Sequence, residues 1–248
     1  MNERRERIYA ILKERGSATV EELTRELYAS EATVRRDLAK MEQEGLLVRV
    51  WGGAVPINNS NADLPAFVRS TENISAKKTI AYNASGLIKD NMSIFLSSGT
   101  TVTELSKLLG NFENITVITN GLDILNELNN TSVKVITIGG ELYEHYDFVG
   151  GMAEKNVEQF NTDIYFFSCS GITADGFTSR DMRRLEIMRK MHENSAKTVL
   201  LTDTSKVGKK YTYKGFDLEY IDYVVMEKVP NDAELKKALE GKLLTVKK

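Results

Sequence analysis

The sequence has almost none of the residues that build disulfide frameworks or structural metal sites. Among its 248 residues there are one cysteine and two histidines, so it has neither an intramolecular disulfide nor the usual ligand set of a structural zinc site. It also lacks any run near the about 18 apolar residues of a membrane span, and its first residues lack the apolar stretch of a signal peptide. We therefore expect a cytoplasmic protein with no membrane partner, no metal and no cofactor.

Proline and excess charge are scarce as well. The chain has 3 prolines, 42% hydrophobic residues and a net charge of −2. This composition is suited to a sizeable buried core in one or two domains. Residues 1 to 53 contain 10 basic and 10 acidic side chains. Bulk charge therefore gives no sign of nucleic-acid binding, and any interface with DNA must depend on where individual cations lie.

The N-terminal region is predicted to form three short helices. Apolar residues recur at the spacing of one helix face in three successive sets. These sets are Ile8, Ile11 and Leu12, then Val20, Leu23 and Leu27, then Val34, Leu38 and Met41. Thr19 and Glu22 have capping-box spacing, and Ser30 is suited to cap the third helix. Only Tyr28 and Ala29 separate the second helix from that cap, which is typical of a helix-turn-helix.

The third helix is predicted to carry the DNA-reading surface. If its apolar set faces the core, Arg36 points outward with Arg35 and Lys40 on the flanks. Arginine can bind guanine through two hydrogen bonds in the major groove, and hydroxyls can bind phosphates. The residues after Gly45 are typical of a β-hairpin wing, in which we expect Trp51 to anchor the packing. The candidate DNA-binding residues are Ser30, Thr33, Arg35, Arg36, Lys40 and Arg49.

A family resemblance follows from these motifs. The segments Ser30–Leu38 (SEATVRRDL), Glu44–Leu46 (EGL) and Trp51–Ala54 (WGGA) resemble the signature of DeoR-type bacterial repressors. Arg69 and Lys77 resemble part of the pattern that opens the family's sensor domain, and the resemblance continues to the end of the chain. It implies a winged helix-turn-helix followed by a sensor domain similar to ribose-5-phosphate isomerase and CoA-transferase folds, which commonly senses phosphorylated sugars.

The rest of the chain is predicted to be a mainly parallel α/β domain. Residues 1–56 form the expected DNA-binding domain, the polar stretch 57–65 a linker, and residues 66–248 the effector-binding domain. Short apolar, β-branched runs alternate there with helical segments, as in a parallel sheet. The runs are 93–96, 115–118, 133–138, 164–169, 197–201 and 223–226.

Ligands of such sheets bind at the carboxyl ends of the strands. Loops rich in glycine and hydroxyls follow these runs, and Lys206 adds a mobile positive charge, so we expect an anion site. One departure from the family is Ser97, where the family typically has Asp, and it leaves the effector's identity open. The candidate effector-binding residues are Arg69, Lys77, Ser98, Gly99, Thr100, Thr101, Asn120, Gly139, Gly140, Gly171 and Lys206.

Several other side chains are expected to have structural roles. Cys169, Tyr82, Phe95, Phe166 and Phe167 are predicted to pack in the core. Three basic residues could close over an anion, although a solvated helix start is the favoured interpretation. These are Arg180, Arg183 and Arg184.

The leading functional hypothesis is a repressor of carbohydrate metabolism genes that a phosphorylated sugar releases from operator DNA. We expect it to act as a homodimer or homotetramer. One alternative is an active sugar-phosphate isomerase or transferase with a DNA-binding appendage. The loops offer Lys206 and Asp203 but no convergent pair of carboxylates for that chemistry. A second alternative is an activator, or a sensor of an unphosphorylated metabolite.

Overall fold

The chain folds into two compact units. A computed structural model describes residues 3–44, 46–56, 69–70, 72–144 and 146–245. The units are Met1–Glu72 and Asn73–Lys248. The expected linker, 57–65, lies outside the described residues, so the domain boundaries at 56 and 66 stay predictions.

The first unit contains the three predicted helices and a small antiparallel sheet. Its elements are α1 (Glu3–Arg15), β1 (Ala18–Thr19), α2 (Val20–Leu27), α3 (Glu31–Gln43), β2 (Leu47–Val50) and β3 (Gly53–Pro56). The strand order is β1-β3-β2. Leu12, Leu23, Leu38 and Met41 meet in one buried cluster with Leu47 of the wing. The helix-turn-helix with a β-hairpin wing is therefore formed as the sequence pattern predicts.

Local hydrogen bonds explain where these helices begin. The Glu22 backbone N–H donates to Thr19 Oγ1 at 3.1 Å, and the Thr19 N–H donates to the Glu22 carboxylate at 2.7 Å. This reciprocal capping box starts α2 and holds the pKa of Glu22 below its usual range. Ser30 caps α3 by accepting a hydrogen bond from the Thr33 N–H. Between the two helices, Tyr28 takes the left-handed conformation with φ 50°.

The second unit is an α/β domain. Its first half contains α4 (Ile74–Ser85), β4 (Ser93–Leu96), α5 (Thr100–Ser106), β5 (Thr116–Thr119), α6 (Leu122–Leu128), β6 (Lys134–Thr137), β7 (Glu141–Tyr143), β8 (Asp147–Val149) and α7 (Gly151–Val157). Its second half contains β9 (Ile164–Phe167), β10 (Gly171–Thr173), β11 (Gly176–Ser179), α8 (Met182–Glu193), β12 (Thr198–Leu201), β13 (Tyr213–Lys214), β14 (Tyr223–Val225), α9 (Ala233–Ala238) and β15 (Leu243–Leu244).

A seven-stranded parallel sheet forms the centre of this unit. The strand order is β15-β14-β12-β9-β4-β5-β6, and every pairing is parallel. From β4 the chain proceeds outward through β5 and β6, and from β9 it proceeds outward in the other direction. The order therefore reverses between β4 and β9, which is where open α/β sheets bind their ligands. The predicted parallel α/β fold is confirmed.

Helices cover both faces of the sheet and bury its aromatic residues. Phe95 and Phe167 lie in one apolar cluster and Phe166 lies in the cluster on the other side. Cys169 is buried as well. The packing role predicted for Tyr82 is wrong, because this side chain is 75% exposed. Ile80, Ala81 and Ala84 occupy the core face of α4, and Tyr82 lies on the opposite face of the helix.

The role predicted for Trp51 is also wrong. We expected it to anchor the wing, but its side chain is 86% exposed. In the hairpin, Val50 pairs with Gly53, so Trp51 and Gly52 form the turn beyond the last paired residues. A side chain at this tip lies past the edge of the small sheet and cannot reach the core of the unit.

Candidate nucleic-acid interface and candidate effector site

The helix α3 presents a basic face in the first unit. Val34, Leu38 and Met41 are buried, which leaves Arg36 and Lys40 exposed. Among the described residues, neither of these two cations has a hydrogen bond or an ion pair. Both are therefore available for an anionic partner.

The other predicted DNA-binding cations are held by neighbouring acids. Arg35 pairs with Glu31 one turn earlier in α3 at 2.5 Å. Arg49 of the wing pairs with Glu42 of α3 at 2.9 Å, and its backbone N–H donates to the same carboxylate at 2.8 Å. These hydrogen bonds hold the pKa of Glu42 below its ordinary value and attach the wing to α3.

A buried carboxylate that the sequence analysis did not single out fixes α3 in place. Asp37 is 6% exposed and accepts a hydrogen bond from Arg4 Nε of α1 at 2.5 Å. Asp37 lies on the same face of α3 as the buried Val34, Leu38 and Met41. A helical projection of the sequence could therefore have predicted that Asp37 is buried. Arg4 thus has a structural partner, and this contact connects α1 to α3.

In the second unit, the loops after β4 and β5 are joined by a hydrogen bond. The Ser98 N–H donates to Asn120 Oδ1 at 2.9 Å. Gly121 permits this approach, since a Cβ at that position would lie 3.1 Å from Ser98 Cα. Asn120 is 2% exposed, so its side chain positions the Ser98 loop. The prediction that Asn120 touches the effector stays a prediction.

Lys206 comes to the point where the strand order reverses. Its Nζ donates to Ser168 Oγ at 2.9 Å. Gly99 lies next to Ser168, because a Cβ on Gly99 would be 3.8 Å from Ser168 Cβ. Ser168, missed in the sequence analysis, therefore joins the loops after β4, β9 and β12. It was missed because the apolar run was taken to continue to Cys169, whereas β9 ends at Phe167.

The start of α4 meets the loop after β12. Asn73 Nδ2 donates to Ser205 Oγ at 3.2 Å and lies 3.5 Å from Asp203 Oδ1. Asp203 also accepts a hydrogen bond from the Ser205 N–H at 3.0 Å. Lys77 follows one turn later in α4 and is 4% exposed. The structure thus brings the start of α4, which carries Lys77, to the same edge of the sheet as Lys206.

The loop after β4 contains a polar atom that is not satisfied within the described part of the chain. Thr101 is 1% exposed, and its Oγ1 has no hydrogen-bond partner there. Gly99 has φ 143°, a conformation that other residues rarely adopt. Thr100 is half-buried beside it. A buried hydroxyl of this kind can be satisfied by water or by a ligand.

The other glycines predicted to bind the effector have packing or turn roles in the structure. A Cβ on Gly140 would approach the Val149 carbonyl to 2.7 Å, so Gly140 permits close packing against β8. A Cβ on Gly171 would overlap the Lys209 carbonyl. Gly139 makes a turn with φ 63°. Arg69 belongs to the first unit. Their contact with an effector stays a prediction.

The three arginines after β11 are tied to nearby side chains, in contrast to the solvated helix start that we expected. The Arg184 side chain is 12% exposed and pairs with Asp147 and Glu144. Arg180 donates to Tyr211 Oη at 2.7 Å, and Arg183 pairs with Glu141 at 3.0 Å. These ion pairs attach the β7–β8 hairpin to α8, a tertiary arrangement that local sequence does not encode.

A cavity of about 290 Å³ lies at the opposite edge of the sheet. It is lined by residues at the amino ends of the strands, among them Met92, Asp163 and Lys197. Lys197 precedes β12 and Lys206 follows it, so the two lysines mark opposite ends of one strand. The cavity and the loop cluster around Ser168 are therefore separate places.

The first unit has the winged helix-turn-helix and the second the α/β architecture of a two-unit transcriptional regulator. A protein-family model described as the DeoR-like helix-turn-helix domain matches residues 4–60. A second family model, described as the DeoR C terminal sensor domain, matches residues 72–228. The chain belongs to the DeoR family of DNA-binding transcriptional regulators.

Similar proteins match along nearly the whole chain. The chain is 33% identical to the uncharacterized HTH-type transcriptional regulator YulB of Bacillus subtilis, over 98% of this chain and 95% of that protein. It is 29% identical to a putative aga operon transcriptional repressor of Escherichia coli O157:H7, over 94% and 88%. It is 31% identical to the lactose phosphotransferase system repressor of Staphylococcus epidermidis, over 96% of both.

Among solved structures, ribose 5-phosphate isomerase A of Methanocaldococcus jannaschii matches with a TM-score of 0.41 and 18% identity, over 55% of each chain. Within the part of the chain that the structure describes, no helix is both long enough and apolar enough to span a membrane.

Proposed function

We propose that this regulator is a repressor that a phosphorylated sugar releases from its operator. The observation that carries the proposal is the loop cluster at the reversal of strand order, where Lys206 contacts Ser168 beside Gly99. The effector's phosphate would bind there, and its differential affinity for one conformation would lower the population that binds DNA.

The chemistry of the cluster favours an anion with hydroxyl groups. A phosphate monoester has a charge of about −1.5 to −2 at neutral pH and three acceptor oxygens. Lys206 and the buried Lys77 supply positive charge, and the unsatisfied Thr101 hydroxyl supplies a donor. Two acids lie on the neighbouring loops and have hydrogen-bond partners there: Asp203 caps its own loop, and Glu227 accepts hydrogen bonds from Thr204.

The named functions of relatives agree with this proposal. Two of the proteins described above are named repressors, and one of these names a lactose phosphotransferase system. We further propose that two copies of the chain bind a two-fold symmetric operator, since helix-turn-helix proteins read one half-site with each copy.

Calorimetry with the full chain tests the site. The titrants are pairs of compounds that differ only in the phosphate, such as a hexose and its 6-phosphate. We expect binding of a phosphorylated member, and Lys206→Ala should weaken it about ten-fold or more, because a charge-assisted contact worth about 1.5 to 3 kcal/mol is lost. Lys197→Ala removes the same charge at the other end of β12 and should bind like the parent.

The control also separates the two candidate places. If Lys197→Ala weakens binding and Lys206→Ala does not, the effector occupies the cavity at the amino edge and the proposed site is wrong. If only unphosphorylated compounds bind, the proposed effector class is wrong, although the chain remains a DNA-binding regulator.

A further inference from the structure

The wing carries a large apolar side chain in full contact with solvent. Trp51 is the single tryptophan of the chain and is 86% exposed at the tip of the β2–β3 hairpin. Burying an aromatic side chain of this size is strongly favourable. An exposed tryptophan at a loop tip is therefore suited to a partner that it enters on binding.

The tip has a fixed position in the first unit. The Val20 N–H donates to the Gly52 carbonyl at 2.7 Å, which attaches the turn to the start of α2. Gly53 pairs with Thr19, and a Cβ on Gly53 would come within 3.0 Å of Thr19 Cα. The Arg49–Glu42 pair connects the same hairpin to α3. These contacts hold the wing in a fixed position beside α3.

The charge around the tip suits the DNA surface. From Leu46 to Pro56, Arg49 is the one charged residue in the sequence. Arg49 lies in β2, two residues before Trp51 in the turn. An apolar tip with Arg49 beside it matches a groove wall of deoxyriboses edged by phosphates, and Arg49 would exchange its ion pair with Glu42 for a phosphate.

We propose that Trp51 enters the minor groove next to the major-groove segment read by α3, where it packs against deoxyribose and base edges while Arg49 contacts a flanking phosphate. Apolar side chains of minor-groove binders act in this way, and such contacts favour pyrimidine–purine steps such as TA, because these steps unstack and kink easily. Trp51 thereby extends recognition beyond the bases that α3 contacts.

Tryptophan fluorescence tests this contact directly, since all of it comes from Trp51. The probe is a duplex selected by the full chain from a random-sequence library. In the complex we expect a shift of the emission to shorter wavelength and a clear loss of acrylamide quenching. Equal quenching with and without the duplex would overturn the proposal. So would a blue shift that appears on raising the protein concentration without DNA, because Trp51 would then contact protein.

A double variant controls for indirect effects on fluorescence. Trp51→Phe combined with Tyr82→Trp moves the single tryptophan to an exposed position in the second unit. Its emission should not respond to the duplex. If it responds as the parent does, the fluorescence change does not report the wing and the proposal loses its support.

Affinity and footprinting give a second, independent readout. Trp51→Ala should bind the selected duplex about ten-fold more weakly, and Trp51→Phe should regain most of the affinity, as expected for an apolar contact. Hydroxyl radicals attack deoxyribose in the minor groove, and their footprint should lose protection only at the flank of each half-site in Trp51→Ala. Parent-like affinity and an unchanged footprint would overturn the proposal.

Discussion

Replacing Arg36 by alanine should separate base recognition from general attraction to DNA. Arg36 is exposed on α3 opposite the buried Val34 and Leu38. Within the described residues its side chain has no ion pair or hydrogen bond, so replacing it breaks no such interaction. We expect specific affinity to fall while the fold is retained.

The expected loss of affinity follows from the contact that Arg36 would make with a base. A bidentate arginine–guanine pair contributes about 1 to 3 kcal/mol of discrimination, which is roughly 5- to 150-fold in affinity. Arg35 gives the matched comparison, because it is bound to Glu31 and must exchange that pair for a phosphate. An exposed pair of this kind is worth only about 0.3 to 0.5 kcal/mol. Arg35→Ala should therefore weaken binding to every duplex by about the same factor, and this factor should be smaller than the loss caused by Arg36→Ala.

The assay is a titration of each variant against the selected duplex and against a set with every base pair replaced in turn. Arg36→Ala should lose preference at one position, and Arg35→Ala should keep the preference profile of the parent. The reasoning is refuted if Arg36→Ala retains both affinity and profile, or if it weakens all duplexes equally.

Two more predictions concern the second unit. Gly99→Val should abolish effector binding in calorimetry and leave operator affinity intact in gel shifts, because φ 143° excludes a branched residue; effector binding equal to the parent's would contradict this. Burial holds the pKa of His192 below 6.5 in the folded chain. The unfolded chain therefore takes up the proton more readily, which favours unfolding in acid. The stability that neutral His192 contributes is present above pH 6.5 and is lost as the pH falls through the folded pKa. Chemical unfolding from pH 7 to 5 should therefore show a steeper loss for the parent than for His192→Gln, and parallel curves would count against it.

The helices of the first unit could be predicted because their signals are local. The Thr19 and Glu22 side chains lie within one turn of the groups that they cap, and Ser30 and Thr33 are equally close. The parallel sheet could also be predicted, since strands buried on both faces are continuous apolar runs. No such run marks the β7–β8 hairpin, which ion pairs of Arg184 attach to α8.

The details of the site depended on tertiary contacts. The Ser98 N–H meets Asn120 from another loop, and the spacing along the chain does not encode that pairing. Ser168 was hidden because a strand end cannot be placed within one or two residues from an apolar run. The exposure of Trp51 depended on the hairpin register, in which Val50 is the last paired residue before the turn.

The central claim is that effector binding at the loop cluster and operator binding oppose each other, and reciprocal affinities test it most directly. The affinity for the selected duplex is measured with and without a saturating phosphorylated sugar, and the affinity for that sugar is measured with and without the duplex. Linkage requires both affinities to fall by the same factor, which for couplings of about 1 to 3 kcal/mol is roughly 5- to 150-fold. A phosphorylated sugar that binds at Lys206 and leaves the affinity for the duplex unchanged would contradict the account.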